Sequence, residues 1–400
     1  MRHYLCFLPL FCLFVTPHVS AQNLVVNGGF ERQSSRVAGV WQASPKPCQF
    51  SGASDIVNTS VEGWKTFDEQ TPDLLVWDSL GGCPTFPKPR KGKRMMGLIM
   101  YHPFQDGQFA FDYHELIQGV LTKSLEKGKT YRLSFWVYTN DSLGSQHLNK
   151  VYGRSTGIRP TLCGNFGFYF SDSRITTQEN FMTSQLDFAV KPQVNLAQIV
   201  ETKGQWRKIS LAFKADRGGY KYFLFGNFFS DAVTPINIGD EERMQLDEKN
   251  QTLEFWKKTK RIAYYLFDDF AIVADENAGI EQSLLVEKKY TMQDALLFDF
   301  GKSDLRPEAA LALEKLAQVL QKNATLHFEI GGHTDNIGDE SSNQTLSEQR
   351  ALTVYNALIA KNVAPEQLAW KGYGKTQPSA PNDTDEARQK NRRVECRVLD

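Results

Sequence analysis

Net charge is the first thing this sequence lacks: its 46 basic and 46 acidic side chains cancel over 400 residues. Without a basic excess, neither nucleic acid nor an anionic membrane surface suits it as the main partner. Beyond the N-terminus no stretch is apolar for long enough to read as a transmembrane helix. Cysteine is sparse at six, and no CxxC or His/Cys spacing suggests zinc. No internal repeat of fixed period appears.

What is present begins with an export signal over residues 1–21. Arg2 and His3 precede an apolar run from Tyr4 to Val15, and Val19-Ser20-Ala21 precedes Gln22. The bulky Phe11 before Cys12 does not suit a lipoprotein processing site, so a free mature N-terminus near Gln22 is expected. Four cysteines then remain, Cys48, Cys83, Cys163 and Cys396. In an oxidising compartment Cys48 and Cys83, both in Pro/Gly-rich loops, are the first choice for a bridge, although four cysteines allow three connectivities.

Residues 22–274 are rich in aromatic, alternating segments: Thr130–Tyr138, Asn165–Phe170, Gln205–Lys214 and Lys221–Phe229, set off by turn signals such as Arg217-Gly218-Gly219. An all-β jelly-roll sandwich with extended loops is expected. Irregular strand spacing and long polar segments argue against a transmembrane barrel. A hydrolase would need two carboxylates facing across a cleft; Asp68, Glu69, Asp112 and Glu115 are present, but nothing in one sequence pairs them. Trp136 and Trp206 lie inside strand patterns and read as core, whereas Trp64 and Trp77 read as exposed candidates for stacking on sugars. The basic run Lys88–Arg94 reads as a solvated loop.

The opening NGGFE, the central GKTYRLSFWV and the closing DDFAIV resemble the galactose-binding-like sandwiches of carbohydrate-binding modules. That resemblance implies glycan binding. It also places Glu31 and Asp269 where such modules often hold a structural calcium, the alternative being surface carboxylates at turns.

Residues 275–293 read as a linker, opening with Asp275–Glu281. Residues 294–400 then alternate: strand Ala295–Phe300, helix Pro307–Gln321, strand Thr325–Ile330, helix Thr345–Ala360 behind a Thr345–Glu348 capping box, and strands Gln367–Lys371 and Arg393–Leu399. This is a βαβαββ α/β domain with helices on one face of a mixed sheet. Between the second strand and second helix lies a loop with His333, Thr334, Asp335, Asn336 and Asn343. Arg350 sits at steps of four between Leu346 and Val354, so its guanidinium belongs to the core-facing side and needs an anion. One reading makes Asp335 and Arg350 a structural ion pair; the other gives both to a ligand.

GHTDNIG, Asn343, LSEQRA, GYGKTQP, Asn382 and NRRVE, in that order, resemble the C-terminal domain family of outer-membrane protein A, shared by peptidoglycan-associated lipoprotein and MotB. The resemblance implies non-covalent peptidoglycan binding. Asp335 and Arg350 would anchor the ammonium and carboxylate of diaminopimelate, with Asn343, Thr334 and Arg392 assisting. His333 reads as structural, since no nucleophile or paired base accompanies it. The expectation is a non-enzymatic envelope protein of the periplasm, held to wall or outer membrane, with no cofactor beyond that calcium. Its sandwich would present a surface to glycan or a protein. The alternatives are a structural protein docking an outer-membrane partner and a wall-active glycoside hydrolase.

Overall fold

The computed structural model describes residues 22–32, 61–66, 72–77, 87–106, 109–139, 159–175, 182–184, 187–188, 190–237 and 261–399. The signal, Asp68, Glu69 and the Cys48–Cys83 pairing lie outside these residues. In chain order the first region runs β1 (Trp64–Thr66), β2 (Asp73–Val76), β3 (Arg94–Tyr101), β4 (Pro103–Asp106), β5 (Phe109–Asp112), β6 (Ile117–Val120) and β7 (Thr130–Tyr138). It continues with β8 (Arg159–Pro160), β9 (Phe166–Ser171), β10 (Met182–Ser184), β11 (Asp187–Phe188), β12 (Val194–Leu196), β13 (Arg207–Lys214), β14 (Tyr222–Gly226) and β15 (Arg261–Ala274).

Two sheets dominate, one ordered β1-β6-β14-β9-β12 and the other β13-β7-β15-β3-β2, and every pairing along both is antiparallel. Both give their apolar faces to a single core. Phe166, Phe168, Phe170, Phe223 and Phe225 of the first sheet meet Leu133, Phe135, Phe213, Phe267 and Phe270 of the second. Strand period two sets this arrangement. On β7 the odd-numbered Tyr131, Leu133, Phe135 and Val137 join that core, so Arg132, Ser134, Trp136 and Tyr138 stand on the opposite face.

That alternation reverses the expectation for the tryptophans. Trp64 is buried in the core and its Nε1 donates to the Asn27 carbonyl, whereas Trp136 and Trp206 are only half-buried. The Arg90 guanidinium lies 4.4 Å over the Trp136 ring, and Trp206 packs on Tyr138. Trp77, half-buried, joins an apolar cluster outside the main core.

The expected linker is structured. Helix α1 (Ala278–Leu285) follows β15, and β16 (Lys289–Gln293) is already the first strand of the next sheet. Then come α2 (Asp294–Leu297), α3 (Ala309–Lys322), β17 (Phe328–His333), α4 (Glu340–Ile359), β18 (Leu368–Gly372), α5 (Asp385–Asn391) and β19 (Arg393–Val398). The four-stranded sheet is mixed, ordered β16-β19-β17-β18, with β17 and β18 parallel. Ile280 and Leu284 of α1, Leu313 and Leu316 of α3, and Val354 and Leu358 of α4 share one core against Phe328, Ile330, Val394 and Cys396.

Two further expectations are corrected here. Residues 294–297 are helical rather than opening a strand over Ala295–Phe300, and beyond them only Phe298 forms a bridge, to Leu305. Helix α4 starts before Thr345, because Asp339 is its N-cap and accepts from Ser342 N–H at 2.8 Å. Cys163 and Cys396 are buried free thiols.

Candidate functional site

The site forms where three strands of the mixed sheet end together. Gln293 of β16 pairs with Arg393 of β19, which pairs in turn with His333 of β17. The next residues off that edge, Asp294, Arg392 and Thr334, therefore form a row with Arg392 in the middle. Asp294 N–H donates to the Arg392 carbonyl at 3.0 Å, continuing the ladder one step beyond the strands.

Asp335 follows Thr334 into the loop. Its Oδ1 accepts from Ile337 N–H at 3.0 Å, an Asx turn, and Asn343 Nδ2 donates to the Ile337 carbonyl at 2.9 Å. Asn343 thus holds the loop from the first turn of α4. Arg350, two turns further along that helix, is 2% exposed. The helix can lie low over this edge because β17 and β18 present paired glycines beneath it. A Cβ on Gly332 would sit 2.1 Å from the Ser347 carbonyl oxygen, and one on Gly372 2.6 Å from Glu348 N.

The structural Asp335–Arg350 ion pair, the alternative to ligand binding, does not form. Arg350 reaches Asp294 Oδ2 at 3.0 Å and donates through Nε to the Lys302 carbonyl at 2.9 Å, its guanidinium 5.2 Å over Phe298. Asp335 Oδ2 instead accepts from Arg392 at 2.6 Å. The site is a quartet of two carboxylates and two guanidiniums, balanced in charge. Sequence reasoning missed Asp294 because its neighbours, Arg392 and Arg350, are remote in the chain.

Burial governs the electrostatics. It pushes the Asp294 carboxyl up to about 6, with Asp335 adding to the rise and Arg350 and Arg392 opposing it. It also lowers Arg350, against the pull of Asp294. Both partners agree that desolvation outweighs their mutual attraction, the usual balance for a buried ion pair. Asp294 Oδ1 and Thr334 Oγ1 are buried without a hydrogen-bond partner among the described residues. Two carboxylates, a hydroxyl and two guanidiniums on one edge can hold a small ligand bearing both an ammonium and a carboxylate.

His333 stands apart from this chemistry. It stacks on Tyr373 at 5.1 Å, and Arg397 approaches its Nε2 at 3.2 Å. Burial, with Arg393 and Arg397 close by, lowers its pKa to about 4.

Residues 297–392 match the model of the OmpA family. These residues are an OmpA-family domain. Over 101 residues the chain is 40% identical to outer membrane porin F of Pseudomonas fluorescens, covering 25% of this chain and 31% of that protein. Over 102 residues it is 40% identical to outer membrane protein A of Bordetella avium, covering 26% and 53%. The chain thus spans at most about half the length of these two relatives. The periplasmic domain of Helicobacter pylori MotB is 33% identical over 28% of this chain and 74% of its own, with a TM-score of 0.26. Of the quartet, Asp335, Arg350 and Arg392 lie within the OmpA-family stretch, and Asp294 lies just before it.

The calcium expected at Glu31 and Asp269 meets a different geometry. Glu31 Oε1 accepts from the N–H groups of Lys93 and Arg94, both at 2.7 Å. The buried carboxylate at this corner is Asp268, which accepts from Lys91 and Asp269 N–H. Burial pushes Asp268 up to about 7, against those donors. The run read as a solvated loop is thus a turn whose amides clasp two carboxylates, with Gly92 left-handed at φ +69° against Glu31. Among the described residues no group of three or more His, Cys, Asp or Glu is arranged to hold a metal ion.

Proposed function

We propose that this chain is a non-enzymatic cell-envelope protein whose OmpA-family domain binds peptidoglycan non-covalently. Diaminopimelate of the stem peptide is the recognised group. Its ammonium lies against Asp335 and Thr334 and its carboxylate against Arg350 and Arg392, while Asn343 holds the loop that presents them. The observation that carries this reading is the gathering of buried Asp335 and Arg350 with half-buried Arg392 where the sheet's strands end within an OmpA-family domain. The named relatives are outer-membrane proteins, and by that likeness the chain is exported to the periplasm, against the wall or outer membrane. No helix among the described residues is long and apolar enough to cross a membrane.

The deciding experiment is binding of the full chain to purified diaminopimelate-type peptidoglycan. Truncating one partner of a desolvated charge pair costs roughly 2–5 kcal/mol, so Asp335→Ala and Arg350→Ala should each lose well over tenfold in affinity. Arg392→Ala, at a more exposed position, tests the same pocket with less risk to the fold. Wild type that does not bind, or variants that bind as well as wild type, would leave the charges structural and the domain a protein-docking module.

The two-sheet region we read as a jelly roll of the galactose-binding-like kind that presents a glycan- or protein-binding surface. The chain passes from one sheet to the other between β1 and β2, β3 and β6, β6 and β7, β7 and β9, β12 and β13, β13 and β14, and β14 and β15, which supports that class. Half-buried Trp136 and Trp206 are the stacking surface to test, with saturable sugar binding lost in Trp136→Ala as the expected result.

A further inference from the structure

The OmpA-family stretch begins at residue 297, and the quartet's second carboxylate lies outside it. We propose that Asp294 is itself a ligand-binding residue: its free Oδ1, with Thr334 Oγ1 and the Asp335 carboxylate, cradles the ammonium of the bound zwitterion. This inference rests on the reading above and adds a contact to that site.

Three observations carry it. The register puts Asp294, Arg392 and Thr334 at neighbouring backbone positions just beyond the strands, with Arg392 and Asp335 close enough to Asp294 to act on its charge. Asp294 spends only one oxygen on Arg350, and its Oδ1 is buried without a partner among the described residues. Thr334 Oγ1 is equally buried and equally unpartnered. Stranding a buried acceptor is ordinarily costly, and here two are stranded at neighbouring positions. An ammonium has three donors and no acceptor, so one such group can serve Asp294, Thr334 and Asp335 together. The ligand carboxylate is then left to Arg392 and the remaining donors of Arg350. The same ammonium relieves the two carboxylates' mutual repulsion, which in the free site helps keep Asp294 protonated more readily than usual.

The charged groups acting on Asp294 are Arg350 from α4, Arg392 from the start of β19, and Asp335 from the loop. Binding an ammonium favours ionised Asp294. Below about 6, where the free carboxyl is protonated, binding has to expel that proton, so affinity falls by up to about tenfold per pH unit.

The test is binding of the full chain to the soluble tripeptide L-Ala-D-Glu-meso-diaminopimelate between pH 5 and pH 7.5, for wild type, Asp294→Asn and Thr334→Val. Wild type should bind with nearly constant affinity above about pH 7 and lose it below about 6. Asp294→Asn should bind at least about tenfold more weakly at pH 7.5 and show a flat profile. Thr334→Val should weaken binding several-fold and keep the slope. Asp294→Asn with wild-type affinity overturns the inference. So does a weakened variant that keeps the wild-type slope, since Asp294 would then act only by positioning Arg350. Absence of tripeptide binding by wild type would instead overturn the reading on which the inference rests.

Discussion

A guanidinium buried as deeply as that of Arg350 must find its anion inside the fold, and it finds Asp294, while Asp335 pairs with Arg392. The consequence is visible in pH. The Asp294 carboxyl titrates at about 6 in the folded chain against 3.8 ordinarily, so the folded state binds the proton more tightly. Its contribution to stability therefore grows as pH falls from about 7 toward 4. His333 acts in the opposite sense. Its pKa is lowered from 6.5 to about 4, so it contributes stability above that window and loses it on acidification. Melting temperatures over pH 4–7.5 should show the Asp294→Asn variant losing ground to wild type as the solution is acidified. A His333→Gln variant should gain on wild type over the same range. Parallel curves for all three would mean that neither group titrates as its burial implies. Asp335, Arg350, Asn343, Thr334 and Arg392 were legible from sequence as candidates through the motifs that carry the family resemblance. Asp294 was not, since its role comes from a strand register that joins it to Arg392.

Among the elements, α4 and the β17–β18 pair explain most of how the site is built. Gly332 and Gly372 face each other across parallel strands, and the backbone of α4 rests on both. Gly332→Ala should force the helix outward, cost on the order of 1–3 kcal/mol or more, and weaken the proposed peptidoglycan binding by displacing Arg350. Chemical denaturation measures the first, and wild-type stability in that variant would show that the helix has room to move. The two long helices and the strands β17, β18 and β19 were readable from period and caps, with ends shifted by a few residues. The first strand was not, since β16 lies in the stretch read as a linker and residues 294–297 are helical. The misread stretch is instructive. Asp275–Glu281 looks like a linker because its local composition is polar. Yet Ala278, Ile280 and Leu284 are buried, so tertiary packing supplies the helix stability that composition does not.

At the scale of the whole molecule, α1 joins the two folded regions. It packs on β7 and β13 on one side and on β16, α3 and β19 on the other. Arg132 of β7 binds Asp275 and Glu281, and Glu281 binds Lys322 of α3. Gln282 accepts from Ala212 N–H of β13, and Asn277 bonds Gln318. Arg132→Ala removes hydrogen bonds to two charged acceptors at a half-buried position and should weaken the joint by about 2 kcal/mol. Calorimetry should show a single transition in wild type that separates into two in the variant. Independent melting of the two regions in wild type would mean that the joint contributes nothing.

A joint of this kind has no slack. With a flexible connector the first region would wander within the reach of its leash, and tension on one end would be spent in straightening it. With α1 bedded in both bodies, the chain behaves as a bracket. Whatever surface holds the OmpA-family domain also fixes the direction in which the two-sheet region faces, and a torque on either end is felt at the other.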